Sequence, residues 1–414
     1  MRKVLCLLSV VVVLSGKAES VVSDVVVNQR WPWSEKVDVD FTLTGETADV
    51  DVCATWDQLR SDGASPSPDQ VHLGTVFEAK PGHNCFTWDP TVTPWAGRTL
   101  TGFSVTLTPA SAAAHTYLVI DLQDGGVSYR TAPDGTDGKW SDAYKKTKMV
   151  FRRIPAGTYQ LGMSSNDVAR VNGGPFSSIY AKSWGRHTAT FTSDFYVGVF
   201  RLTRAQYDLL EGTSQANPLY AMKLTYDRLR GSTDDGINWP YTKYEVSPNS
   251  LLAKLRAKTC ANLVVDLCHE CQWEAAMRAG TTTYWPNGGT ADDSLEALGA
   301  YADAIAWPAY EYDVGGKAAN AWGIYDPVGL VPDWTLGTTS GKSGTASPSV
   351  GVSSPVTDYV GAYVESPKWR VIRGSASSEL YFMLPCVRQI IDPASQYSAS
   401  ARLCIHLKPL NFTK

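Results

Sequence analysis

Between residues 37 and 54 the chain alternates. Val37, Val39 and Phe41 are apolar where Asp38, Asp40 and Thr42 are polar, and Val50, Val52 and Ala54 alternate with Asp49, Asp51 and Cys53. A period of two marks strands with one buried face. Further β-type runs lie at Thr99–Leu107 and Thr116–Leu122, with turn-forming stretches such as Ser61–Pro68 and Pro81–Gly82 between them. Short strands at this spacing, without helical periodicity among them, predict an all-β sandwich over residues 19–130. The segment 131–148 is polar and rich in Gly, Asp and Lys, and reads as a linker. From 149 to 410 short strands are mixed with three helices. Thr203 caps the first, with Gln206 as its reciprocal partner and Gly212 as its stop. Ser250 caps Leu251–Lys258, and Glu270–Ala279 puts Trp273, Ala276 and Met277 on one face before Gly280. Little after Gly280 is periodic, although Trp and Tyr stay frequent. The predicted class is α+β, with an irregular second domain behind the sandwich.

The start of the chain is different in kind. Arg2 and Lys3 precede an apolar run of about 11 residues, Val4–Leu14, followed by Ser15, Gly16, Lys17 and Ala18. That order fits a secretory signal over 1–18, and the run is shorter than the ~20 residues of a membrane span. The expected product is secreted or periplasmic, with no membrane span. With 37 basic and 41 acidic side chains and no basic run, the chain carries no electrostatic footprint for a phosphate backbone, so nucleic acid is not an expected partner. A charged fraction of 19% beside 14 Trp and 20 Tyr excludes a disordered chain.

Of 8 cysteines, Cys6 lies in the signal, which leaves 8 − 1 = 7. An odd count without a dense spacing pattern means that core packing holds the protein together. Cys53 and Cys85 sit in an echoed Cys-x-Thr-Trp-Asp, and either a bridge or two small buried residues would satisfy the pattern.

Five segments then fall in a recognisable order. Phe151-Arg-Arg-Ile-Pro155-Ala-Gly157-Thr-Tyr-Gln-Leu-Gly162-Met opens the second domain. His187 through Phe195-Tyr196-Val197, then Leu202-Thr203-Arg-Ala-Gln206-Tyr207, follows. Next come Asp266-Leu-Cys-His-Glu270-Cys-Gln-Trp273-Glu274-Ala-Ala-Met-Arg278-Ala-Gly280 and Asn320-Ala-Trp322-Gly323-Ile-Tyr325-Asp326-Pro-Val-Gly329-Leu-Val331-Pro-Asp333-Trp334, and last Arg370-Val-Ile-Arg373-Gly374-Ser375. These resemble the motifs of the sulfatase-modifying-factor, or formylglycine-generating-enzyme, family, over the second domain only. The resemblance implies an irregular fold related to C-type lectins. It also implies copper-dependent oxidation of a substrate cysteine by molecular oxygen, carried out by two cysteines shortly after the Arg-Gly motif. Aligned without gaps, those positions fall on Glu379 and Leu384, and the motif serine falls on Ala376.

Copper(I) favours soft thiolates, so a carboxylate and an aliphatic side chain in their place do not suit it, and copper is not an expected cofactor. The resemblance also implies a structural calcium ion. Its ligands would be the side chains of Asp326 and Asp333 and the carbonyls of Gly329 and Val331, with Asp303 as a weaker candidate for a second ion. The same aspartates would equally serve as caps for loop backbone. Glu270 suits the first turn of its helix and Glu274 pairs with Arg278 at i+4, both structural roles. Cys268-His-Glu-Cys271 lacks a second pair to complete a zinc site.

The expectation is a binding or scaffold module without formylglycine-generating activity, its ligand a protein or a glycan. Residues 375–400 are its candidate surface, and a plain surface loop would read the same way. The alternative is an active metal-dependent oxidoreductase of the same superfamily, built from Cys386 with Cys404, or from Cys268, His269 and Cys271.

Overall fold

In the computed structural model, residues 37–54 fold as their alternation predicts. The structure describes residues 20–57, 70–135, 137–164, 185–232, 244–259, 261–288, 313–339, 355–360, 369–374, 383–394 and 399–407. Residues 1–18, expected to be a secretory signal, lie outside them. The chain divides into two units, one of residues 1–141 with 255–263 and one of residues 142–254 with 264–414.

The first unit contains β1 (Val21–Gln29), β2 (Val37–Thr44), β3 (Ala48–Thr55), β4 (Val71–Ala79), β5 (Gly82–Trp88), β6 (Ser104–Ala110), β7 (Tyr117–Asp121) and β8 (Val127–Arg130). Two three-stranded antiparallel sheets, β1-β2-β5 and β4-β3-β6, enclose one core. Val39, Phe41 and Leu43 of β2 face Val50, Val52 and Ala54 of β3, each at most 1% exposed, as period two requires. Trp56, Trp88 and Phe103 fill the space between, with Trp88 stacked on Phe103 at 5.8 Å. Gly74 is required at its position, because a Cβ there would lie 2.7 Å from the Phe86 ring.

Cys53 and Cys85 both lie on outward-facing positions of their strands, one in each sheet, and both are free thiols. Two outer faces of sheets packed about 10 Å apart place a bridge out of reach. Cys53 sits instead 3.6 Å from His72 Nδ1. On the same outer face His115 is clamped between Asp49 (2.8 Å) and Asp51 (3.1 Å). Burial works against the imidazolium, but the hydrogen bonds to Asp49 and Asp51 outweigh it and hold His115 up at about 9.

In the second unit, α1 (Ala143–Lys146) occupies part of the expected linker and leads into β9 (Lys148–Ile154), β10 (Gly157–Leu161), β11 (His187–Phe191) and β12 (Phe195–Gly198). Then follow α2 (Arg204–Glu211), α3 (Tyr226–Arg230), α4 (Leu251–Lys258, whose residues from Leu255 on are assigned to the first unit), β13 (Val265–Leu267), α5 (Glu270–Arg278), β14 (Asp333–Thr339), β15 (Val356–Thr357), β16 (Trp369–Arg373), β17 (Arg388–Ile391) and β18 (Leu403–His406). The capping box at α2 forms as its spacing predicts, and Gly212 closes the helix at φ +70°. Strands β13, β18, β12 and β9 pair antiparallel in that order. The small sheets β10-β11-β15 and β14-β16-β17 complete the unit. Helix α5 is buried all round, its Trp273, Ala276 and Met277 packing with Phe191, Phe195, Val197 and Ile324. A helix without a solvent face has to bury its charged residues too, and that places the candidate site.

Candidate functional site

Arginine and carboxylate pairs converge on α5 and β14. Glu270, in the first turn of α5, receives both Nε (2.5 Å) and Nη2 (2.8 Å) of Arg388 at the start of β17. Glu274, one turn on, accepts Arg278 Nε at 2.7 Å, Arg373 Nη2 at 2.9 Å and the Gly162 amide at 2.8 Å. Arg278 in turn donates to the Gly162 carbonyl at 2.9 Å. Arg373 and Arg388 lie directly opposite each other across β16 and β17, a repulsive arrangement that the two glutamates offset. Burial alone would raise Glu274, but Arg278 and Arg373 overcome it and hold the carboxyl down at about 2. The i+4 pairing expected for Glu274 forms, and Glu270 is engaged by arginines from distant strands.

The fourth motif supplies the other half of the cluster. Asp333 is fully buried, with Arg201 Nε at 2.8 Å from Oδ1, and Arg402 Nε at 3.5 Å and the Trp273 indole N–H at 3.0 Å from Oδ2. Asp326 is buried as well. Its carbonyl accepts Arg201 Nη1 (2.8 Å) and Arg402 Nη2 (3.0 Å), and its Oδ2 accepts the Gly315 amide at 2.6 Å. Burial raises Asp326 above the usual carboxylate range against the pull of Arg201. Burial likewise brings Arg402 down to about 10, with Asp333 opposing, and it stays charged at neutral pH. The Gly329 carbonyl accepts the Val331 amide at 2.9 Å in a tight turn through Leu330 at φ +65°. The predicted residues Asp326 and Asp333 are thus brought together, on two shared guanidinium groups. Asp303 lies outside the described residues.

Neither arginine stood out from its spacing, yet a signal was present. Arg201 sits between Phe200 and Leu202, and Arg402 between Ala401 and Leu403. An arginine inside an apolar run has to find a buried partner.

The positions aligned with the oxidative cysteines divide. Glu379 and Ala376 lie outside the described residues. Leu384 is fully buried and its carbonyl accepts the Val387 amide at 3.0 Å. Cys386, two residues on, is also fully buried, and burial pushes its thiol up to about 12. Cys404 lies on β18 within hydrogen-bonding reach of Cys268, and burial raises it well above a free thiol. The Cys268 thiol donates to the Arg402 carbonyl at 3.9 Å. Cys271 is likewise raised by burial, with Glu274 and Glu270 adding to it. Among the described residues no group of three or more His, Cys, Asp or Glu is placed to hold a metal ion. Of the candidate surface 375–400, the described part from Met383 to Val387 is core rather than exposed loop. No described helix is long and apolar enough to cross a membrane.

Against known proteins, the family model for the sulfatase-modifying factor enzyme 1-like domain matches residues 141–399. Three solved structures are similar. Treponema denticola variable protein 1 shares 17% identity over 63% of this chain and 95% of its own, with a TM-score of 0.43. PvdO from Pseudomonas aeruginosa shares 19% over 62% and 94%, at 0.41. CarF shares 13% over 62% and 97%, at 0.34. No curated protein matches the sequence.

Proposed function

Because this chain belongs to the sulfatase-modifying-factor family while the position of one of its oxidative cysteines is a buried leucine, we propose that it is an exported binding or scaffold module without cysteine-oxidase activity, taking a protein or glycan ligand. The observation that carries the reading is Leu384. Its aliphatic side chain has no lone pair for copper(I), and the nearby Cys386 is a protonated, buried thiol at neutral pH. The charged residues of the motifs support it further. Glu270, Glu274, Arg278, Asp333 and Arg373 are all buried and paired with one another or with other arginines of the unit, a role in holding the fold.

The same geometry bears on the calcium expectation. A calcium ion takes six to eight oxygens at about 2.3–2.6 Å. Here both side-chain oxygens of Asp333, Oδ2 of Asp326 and the Gly329 carbonyl already accept from nitrogen donors, and two guanidinium groups lie within 3.5 Å of Asp333. This donor set does not fit calcium. Arg201 and Arg402 provide the positive charge that the carboxylates need, and chelation should leave the melting temperature within about a degree.

The experiment that tests the reading is incubation of the protein with copper(I), reductant, oxygen and a sulfatase-type cysteine peptide, followed by mass spectrometry. No conversion of cysteine to aldehyde is expected. Turnover, or stoichiometric copper or iron in the purified protein, would establish the oxidoreductase alternative and overturn the proposal.

A further inference from the structure

The described tryptophans of the first unit behave in two ways. Trp56, Trp88, Trp95 and Trp140 are wholly or partly buried against other rings. Trp31 and Trp33, at the tip of the β1–β2 hairpin, are 62% and 89% exposed. The tip is nonetheless ordered by its own bonds. The Arg30 amide donates to the Lys36 carbonyl (2.9 Å), the Trp33 amide to the Arg30 carbonyl (3.1 Å), and the Lys36 amide to Ser34 Oγ (3.2 Å). Arg30 grips Asp38 with two nitrogens at 2.7 and 2.8 Å, and Thr87 from β5 donates to the same carboxylate. Lys36 pairs with Asp89 at 3.3 Å.

We propose that Trp31 and Trp33 form a platform for a neutral polysaccharide, each indole stacking on the C–H face of a pyranose ring. Area and charge select this occupant. The two side chains expose roughly 350 Å² together, whereas a stable protein partner needs about 800 Å² from each side. An anionic membrane would need cations at the tip. Arg30 and Lys36 are matched there by Asp38 and Asp89, with Glu35 between them, so no positive excess remains. A charge-balanced rim around flat apolar faces suits a ligand that is uncharged, flat on one side and rich in hydroxyls at its edge. Arg30, half exposed, has further N–H groups beyond those on Asp38 to meet such hydroxyls. The site lies on the first unit and does not rest on the reading of the second, so turnover in the oxidase assay would leave it standing.

The test uses the full exported chain. It is partitioned against insoluble cellulose, chitin and mannan, and titrated by tryptophan emission with soluble xylan, β-glucan and galactomannan. Retention on at least one of these is expected, with affinity falling at least tenfold in Trp31→Ala and in Trp33→Ala and vanishing in the double variant. The melting temperature should move little, since both side chains are mostly in water. The proposal is overturned if no polysaccharide in the set is bound or if binding survives both substitutions. It is overturned equally if the tryptophans instead support binding to phosphatidylcholine/phosphatidylglycerol vesicles, or dimerisation in sedimentation.

Discussion

Glu274 shows what one side chain can hold together. It joins Arg278 of its own helix to Arg373 of β16 and to the backbone of Gly162. Replacing it with alanine takes the nearest carboxylate away from two buried guanidinium groups, so Glu274→Ala should cost about 3–5 kcal/mol in a denaturant titration. The pH dependence has two opposite flanks. With the folded Glu274 at about 2 against 4.5 as the ordinary value, its stabilisation is complete above 4.5 and is lost as pH falls toward 2. His115 acts the other way. Held at about 9 against 6.5 by Asp49 and Asp51, it contributes fully below 6.5 and is lost as pH rises through 9. Melting curves of Asp49→Asn should therefore lose much of the fall in stability between pH 6.5 and 9.

At the level of elements, what could be read from sequence was what depends on neighbours in the chain. The alternation of β2 and β3, the capping box of α2 and the i+4 pair of Glu274 and Arg278 all follow from spacings of two, three and four residues, and all formed. The partners of Asp333 did not follow, because Arg201 and Arg402 are 132 and 69 positions away and reach it only through the sheets. The short helices at 143–146 and 226–230 also escaped, being too brief to show a period. Glycines separate the local from the tertiary cause in the same way. Gly212 at φ +70° has open space around a Cβ, so Gly212→Ala carries only the backbone penalty, about 1 kcal/mol. Gly374 at φ +66° would add a Cβ 2.8 Å from the Trp273 ring. Gly374→Ala should cost several-fold more, and thermal denaturation of the two variants side by side will show it.

For the molecule as a whole, thiol chemistry reports the same division between surface and interior. Cys85 is exposed, while Cys268, Cys271, Cys386 and Cys404 are fully buried. In timed alkylation read by mass spectrometry, Cys85 should react first among these, and the four buried thiols only after unfolding. Prompt labelling of Cys386 or Cys404 would mean that the interior of the second unit opens readily. The buried ion pairs carry a wider consequence. They run between the very segments by which the family is recognised, linking Gly162, Glu274, Asp333 and Arg373 across the unit. The signature by which the family is recognised is therefore set by its chassis, whatever is mounted on it.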